Sequence, residues 1–205
     1  MIEIYTNNMT SVKKRLLLTL IFMCLCQEMI AQEFKPVIVI GVNGSQIDGD
    51  KIWGYDKGGM NAGAGVIYNA GKKNWELEFD ITYSQKGARS SRDDAFFMLY
   101  RLNYIAMPLV ISYVSQKSHV KAQAGIGTSI LVGQYFDDNG FVTRQFASPV
   151  KPMDHTIIAG LEVPLTPRLG LNLRFNYSII AVVERPVFFN NYLSFCLRYY
   201  PSKSY

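Results

Sequence analysis

The sequence predicts an all-β fold: an eight-stranded antiparallel up-and-down β-barrel that crosses a membrane with its strands. Three observations predict it. Apolar and polar residues alternate with period two, connections alternate between short and long, and the glycines fall on the polar faces. The chain has 205 residues, 21 basic and 16 acidic, with a formal charge of +5. With 13 Tyr, 12 Phe and 2 Trp it has enough apolar surface to fold, which excludes a disordered chain. No run of Lys and Arg is long enough to form a nucleic-acid stripe, so nucleic acid is not an expected partner.

The first element reads as an export signal rather than as part of the fold. Lys13, Lys14 and Arg15 precede an uncharged run over 16–27, and Ala31 supplies a small residue before Gln32 and Glu33. The apolar stretch is shorter than the roughly 20 residues that a spanning helix needs. We therefore expect residues 1–31 to be a signal peptide and 32–205 the barrel domain. Met23 and Leu25 stand where a lipoprotein signal would carry a small residue ahead of Cys24 or Cys26, which argues against lipidation. Past residue 31 only Cys196 remains, so burial and backbone pairing must hold the fold without an internal disulfide.

The strands follow in order. Those over 36–45 and 59–70 alternate weakly. Over 75–84, Trp75, Leu77, Phe79, Ile81 and Tyr83 share one face, with Glu76, Glu78, Asp80, Thr82 and Ser84 on the other. Strands over 97–115, 120–134 and 153–164 are weaker again, and Pro108 suggests a bulge with the facing switching around 105–109. Over 169–178, Leu169, Leu171, Leu173, Phe175 and Tyr177 oppose Gly170, Asn172, Arg174, Asn176 and Ser178. In the last strand, Leu193, Phe195, Leu197 and Tyr199 oppose Ser194, Cys196, Arg198 and Tyr200. All five charges in these three clear segments lie on polar faces, which independent placement would give about one time in 32.

Connections at 71–74, 116–119 and 164–167 are tight, whereas those at 46–58, 86–96, 135–152 and 181–190 are long. With the N-terminus inside, every short turn is periplasmic and every long loop extracellular, the asymmetry of outer-membrane barrels. Alternation alone also suits a soluble periplasmic ligand-binding barrel, and the membrane reading gains from two further features. Aromatics sit at strand ends, with Trp75 and Tyr83 bracketing one apolar face and Tyr177 and Tyr199 closing two others. Gly63, Gly65, Gly125, Gly127, Gly160 and Gly170 fall on polar faces, where a narrow bore needs small residues beside large ones. The expected location is therefore the outer membrane of a Gram-negative bacterium, with its lipid bilayer as the partner of the apolar face and a monomeric barrel as the unit.

Glu76, Glu78 and Asp80 would suit a carboxylate pair or a metal site. In a lumen they are better read as a structural ion cluster with Arg101, Arg174 and Arg198, because isolated charges there would be poorly solvated. Such a cluster fills an eight-stranded bore, so passage of sugar-sized substrates is not expected. His119 and His155 lack a convincing catalytic partner and lie too far apart for zinc. Asp48, Asp50 and Asp56, and Asp137-Asp138-Asn139-Gly140, read as turns, the latter as a hairpin flanked by Phe136 and Phe141 that extends two strands above the membrane. No catalytic, cofactor or metal residues are assigned. Trp53, Tyr55, Phe136, Phe141 and Phe146 lie on long loops where no lipid band requires them, and are the candidates for contact with a partner.

Gly41-Val42-Asn43-Gly44-Ser45, Tyr83-Ser84-Gln85-Lys86-Gly87-Ala88 and Leu102-Asn103-Tyr104-Ile105-Ala106-Met107-Pro108-Leu109 together resemble the PorT-like family of small Bacteroidetes outer-membrane barrels. The resemblance spans essentially the whole chain after residue 31. It departs at the end, where Pro201-Ser202-Lys203-Ser204-Tyr205 follow Tyr199, the expected terminal aromatic. It implies a non-enzymatic membrane component whose loops serve structural, adhesive or secretion-assembly interactions, with envelope or secretion-machinery proteins as partners. The alternative from a different class is an outer-membrane enzyme acting on lipid or peptide.

Overall fold

The computed structural model describes residues 34–50, 54–69, 74–90, 97–138, 140–143 and 149–202. The expected signal peptide, 1–31, lies outside them. Among the described residues nine strands occur: β1 (Phe34–Asp48), β2 (Lys57–Asn69), β3 (Trp75–Arg89), β4 (Met98–Val114), β5 (Lys121–Asp138), β6 (Phe141–Thr143), β7 (Met153–Thr166), β8 (Leu169–Ser178) and β9 (Phe189–Tyr199). Eight of them form a ring in which each strand pairs with its sequence neighbour, β5 passes over β6 to β7, and β9 returns to β1. That closing seam is antiparallel from Ile38 opposite Tyr199 to Asp48 opposite Phe189. No helix occurs among the described residues.

Each strand follows the period-two rule with its apolar face outward. Phe79 is 40% exposed and Leu197 45%, whereas Glu78 is 1% and Arg198 0% exposed. A water-soluble barrel would show the reverse, so the molecule is built for an apolar surround and a polar, filled axis. Aromatic side chains mark both rims of the apolar wall. Trp75 meets Tyr113 edge-on at 5.2 Å on one rim, and Tyr177 stacks with Phe189 at 6.1 Å on the other.

Pro108 behaves differently from the sequence expectation. Ala106, Val110 and Ser112 are all buried, so the inward face of β4 continues past the proline without switching. Phe79 opposes Leu109 and Thr82 opposes Ala106 in one register, and the pairs between them are missing. The proline lacks an N–H and leaves a gap in the ladder toward β3, but no residue is inserted. The irregularity lies on the other side of β4, where Asn103 opposes Gly133 and Tyr104 opposes Leu131, so Val132 is the extra residue.

The strands also run longer than the sequence suggests. β3 has 15 residues against the ten that show clear alternation, and β5, expected over 120–134, continues to Asp138 opposite Met98, while β4 keeps within the expected 97–115. Outside hydrocarbon an outward residue is free to be polar, so the amphipathic signal fades while the hydrogen-bonded ladder continues. β5 then turns into β6, with Asp138 opposite Phe141 and the Gly140 N–H donating to Asp137 Oδ1 at 2.9 Å, which makes the hairpin read from Asp137-Asp138-Asn139-Gly140.

Leu173 lies midway along β8 on the outward face and is 45% exposed. Leu173→Arg should lower the unfolding free energy in lipid vesicles by about 2–4 kcal/mol, the cost of a cation near the bilayer midplane. Denaturant titration measures it, and an unchanged midpoint would contradict the outward-apolar assignment.

Candidate functional site

The lumen holds the charged residues, brought there by the inward phase of β3, β5, β7, β8 and β9. Arg174 spans Glu78 and Asp80, meeting the Asp80 carboxylate at 3.1 Å. Arg198 bonds Glu78 at 2.5 Å and lies 3.5 Å from Asp80 and 3.3 Å from Glu162. Lys121 continues the chain, 2.8 Å from Glu76 and 3.5 Å from Glu162. Among the described residues this network joins four carboxylates to three cations. Gln123 stitches it to neutral partners, its Oε1 accepting from Arg174 Nε at 3.0 Å and from Asn172 at 2.6 Å.

Glycines make the room. A Cβ on Gly65 would run into the Asp80 carboxylate; one on Gly160 would sit 2.8 Å from Arg174 Cγ, and one on Gly170 2.9 Å from Glu162 Oε1. The polar-face glycines and the bulky charges are therefore two halves of one packing solution.

A second ionic layer lies nearer the long-loop end. Lys86 and Asp154 pair at 3.0 Å with both side chains fully buried. Ser178 donates to Asp154 Oδ1 at 2.6 Å, Asn190 donates to Oδ2 at 2.9 Å, and the rings of Tyr104 and Tyr192 flank Lys86 Nζ at 4.6 and 4.4 Å. Between the two layers is a cavity of about 30 Å³, lined by Asp80, Arg174, Ser84, Thr156, Asn176 and others, with room for about one water.

Both mouths are filled. At the long-loop end the β8–β9 connection folds back, so that Val182, Val183 and Phe188 pack on Ile47, Ala88, Leu102 and Tyr104. At the other end Val37, Val39, Ile67, Cys196 and Tyr200 pack together, and the Tyr200 hydroxyl donates to Glu162 Oε1 at 2.5 Å. Tyr200 follows β9, and burial holds its hydroxyl well above the usual phenol range.

Arg101 stands outside this arrangement. It is exposed on the outer wall of β4, with its guanidinium 5.4 Å from the Tyr135 ring centroid. The Val132 irregularity turns β5 so that Tyr135 shares that outward face, and Arg101 lies far enough toward the loops for an outward charge to stay solvated. Its expected place beside Glu76 is taken by Lys121. Sequence reasoning passed over Lys121, Glu162, Lys86 and Asp154. Alternation did contain them: Lys86 continues the face of Glu76, Glu78, Asp80, Thr82 and Ser84, and Asp154 and Glu162 share one parity on β7.

Among the loop aromatics, Tyr55 donates to Asn191 Oδ1 at 2.7 Å, and burial together with the Asp48 carboxylate raises its hydroxyl above the ordinary phenol range against that bond. Phe136 packs on Tyr100 at 4.9 Å, while Phe141 is 82% exposed at the hairpin tip. Trp53 and Phe146 lie outside the described residues. Asp154 and His155 are adjacent in sequence but face opposite sides of the wall, His155 outward with its Nδ1 3.1 Å from Thr128 Oγ1. His119 occupies a left-handed turn position at φ 55°.

A closed eight-stranded barrel with an apolar wall, two aromatic rims and a charged, plugged axis defines an outer-membrane β-barrel protein. The chain belongs to the family described as outer membrane protein beta-barrel domain, which it matches over residues 30–184. Among solved structures it is similar to Neisserial surface protein A, at 15% identity and a TM-score of 0.53 over 80% of this chain and 96% of that one. It is also similar to Ail, the attachment invasion locus protein of Yersinia pestis, at 15% identity and a TM-score of 0.48 over 82% and 99% of the two chains. The first of these likenesses bears on the fold. No curated protein matches the chain.

The unequal count of carboxylates and cations makes the network's members unequal. Arg198→Met, which takes from Glu78, Asp80 and Glu162 the one cation that all three share and leaves four carboxylates to Arg174 and Lys121, should cost about 3–5 kcal/mol of unfolding free energy. Asp80→Asn, which removes the surplus carboxylate, should cost clearly less. Urea titration followed by Trp75 fluorescence compares them, and equal losses would show that the pairs act independently of the charge count.

Proposed function

We propose that this chain is a non-enzymatic, monomeric component of a Gram-negative outer membrane, delivered by its N-terminal export signal, whose working surface is the set of loops it carries. One observation supports this above others: the charged network fills the lumen around a cavity of only about 30 Å³, and an apolar plug lies at the loop end. Nothing of substrate size passes through or enters such an axis. What the barrel offers is a rigid stalk, extended above the apolar band by β3, β4, β5 and β6, that holds Phe141 in solvent. A phenylalanine held away from the fold on a hydrogen-bonded hairpin is suited to anchoring in a pocket of another envelope protein, such as an adhesion partner or a secretion-assembly subunit. The motif residues that resemble the PorT-like family favour the assembly role.

A photo-crosslinking residue at Phe141 in living cells should give a discrete adduct with an envelope protein, whereas one at Ser118, in the opposite turn, should not. Absence of an adduct at Phe141 would leave the barrel a purely structural role. His119→Ala and His155→Ala should leave the lipid A profile unchanged by mass spectrometry, and a change in acylation would restore the enzyme reading.

A further inference from the structure

We propose that Arg89 and Arg101 form a seat on the outer wall of the barrel for the phosphate groups of a glycolipid headgroup in the outer leaflet. Both arginines are outward residues of adjacent strands. Arg101 opposes Gly87 and Arg89 opposes Leu99, so the two are diagonal neighbours on one face, roughly 7–8 Å apart at their backbones. Gly87, at φ +137°, places no side chain on the sheet across from Arg101.

Each guanidinium lies over an aromatic ring. Arg101 lies 5.4 Å from the Tyr135 centroid and Arg89 5.8 Å from that of Phe97. Stacking of this kind fixes the plane of the guanidinium while its edge N–H groups remain available for a bidentate oxyanion. Among the described residues neither arginine meets a carboxylate within ion-pair distance. Asp137, opposite Leu99 on the same face, has its Oδ1 engaged by the Gly140 N–H.

Height selects the occupant. Tyr83 and Ile105, opposite each other, close the apolar wall directly below, and Arg101 stands four residues further along, about 9 Å higher on a strand tilted near 45°. A lipid whose acyl chains cover Ile81 and Ile105 would therefore carry its headgroup to the level of the arginines, which can also bend down toward it. Among the described residues, outward strand-end positions on the other rim include Trp75, Tyr113, Leu169 and Tyr199, which are aromatic or aliphatic. The arginine pair is thus confined to the leaflet on the long-loop side.

The full chain folded in zwitterionic micelles, titrated with diphosphoryl lipid A and with its dephosphorylated counterpart, tests the seat. The wild-type chain should prefer the phosphorylated lipid by about tenfold or more, and R89Q/R101Q should lose that preference while still showing heat-modifiable migration. K117Q/R168Q, in the opposite turns, should retain it. Should the double variant fail to fold, R101Q alone at its exposed site should weaken the preference severalfold. Equal binding of the two lipids by the wild-type chain, or full preference in R101Q, would overturn the proposal. Displacement of lipid A by millimolar inorganic phosphate would reassign the seat to a soluble anion and overturn the lipid source.

Discussion

A peptide N–H or C=O in hydrocarbon has no water to bond, so a sheet enters a membrane only when its first strand finds its last. Here that meeting is the β1–β9 seam, registered from Ile38–Tyr199 to Asp48–Phe189. Once the ring closes, no edge remains in the apolar zone, and every other feature follows from the geometry of eight strands. The ladder even accommodates Pro108, because one missing donor toward β3 is a smaller defect than a shifted register, which would turn the apolar wall of β4 inward.

Eight strands enclose a bore that side chains can fill, and what fills it is set by exclusion. The outward positions are taken by Ile, Leu, Phe and Val, so charge has to go inward, where an unpaired ion would be costly. The network from Glu76 through Lys121, Glu162, Arg198 and Glu78 to Arg174 and Asp80 resolves this with multiple contacts per ion. Pairing of this kind adds little stability over a well-packed apolar core of the same volume, yet removal of one member is costly. The glycines on the inward faces belong to the same solution, since Gly65, Gly160 and Gly170 vacate the volume that Asp80, Arg174 and Glu162 occupy.

On the proposed reading, a filled axis moves function to the perimeter. Above the apolar band the strands persist without a lipid to organise their outward faces, so the surface there is free to differ from place to place. It carries an arginine pair on β3 and β4, a histidine and threonine on β7 and β5, and an exposed phenylalanine on the β5–β6 hairpin.

Strand number, the direction of each clear face and the placement of glycines were legible in the sequence, because hydrocarbon imposes period two on every spanning strand regardless of its neighbours. Leu169 to Ser178 could be assigned residue by residue on that ground alone. The partners of each charge were not legible, since Glu76 and Lys121, or Lys86 and Asp154, are joined only by the shear and closure of the ring. Arg101 shows the limit: its residue type suits a lumen, but the parity it shares with Ile105, Leu109 and Ile111 on β4 places it on the outer wall, and its height toward the loops keeps the charge solvated there. The sequence by itself determined that this chain becomes a barrel with a greasy outside, because that demand is local to each strand. Tertiary structure alone decided which ions meet and how both mouths close, because these depend on register between strands distant in the chain.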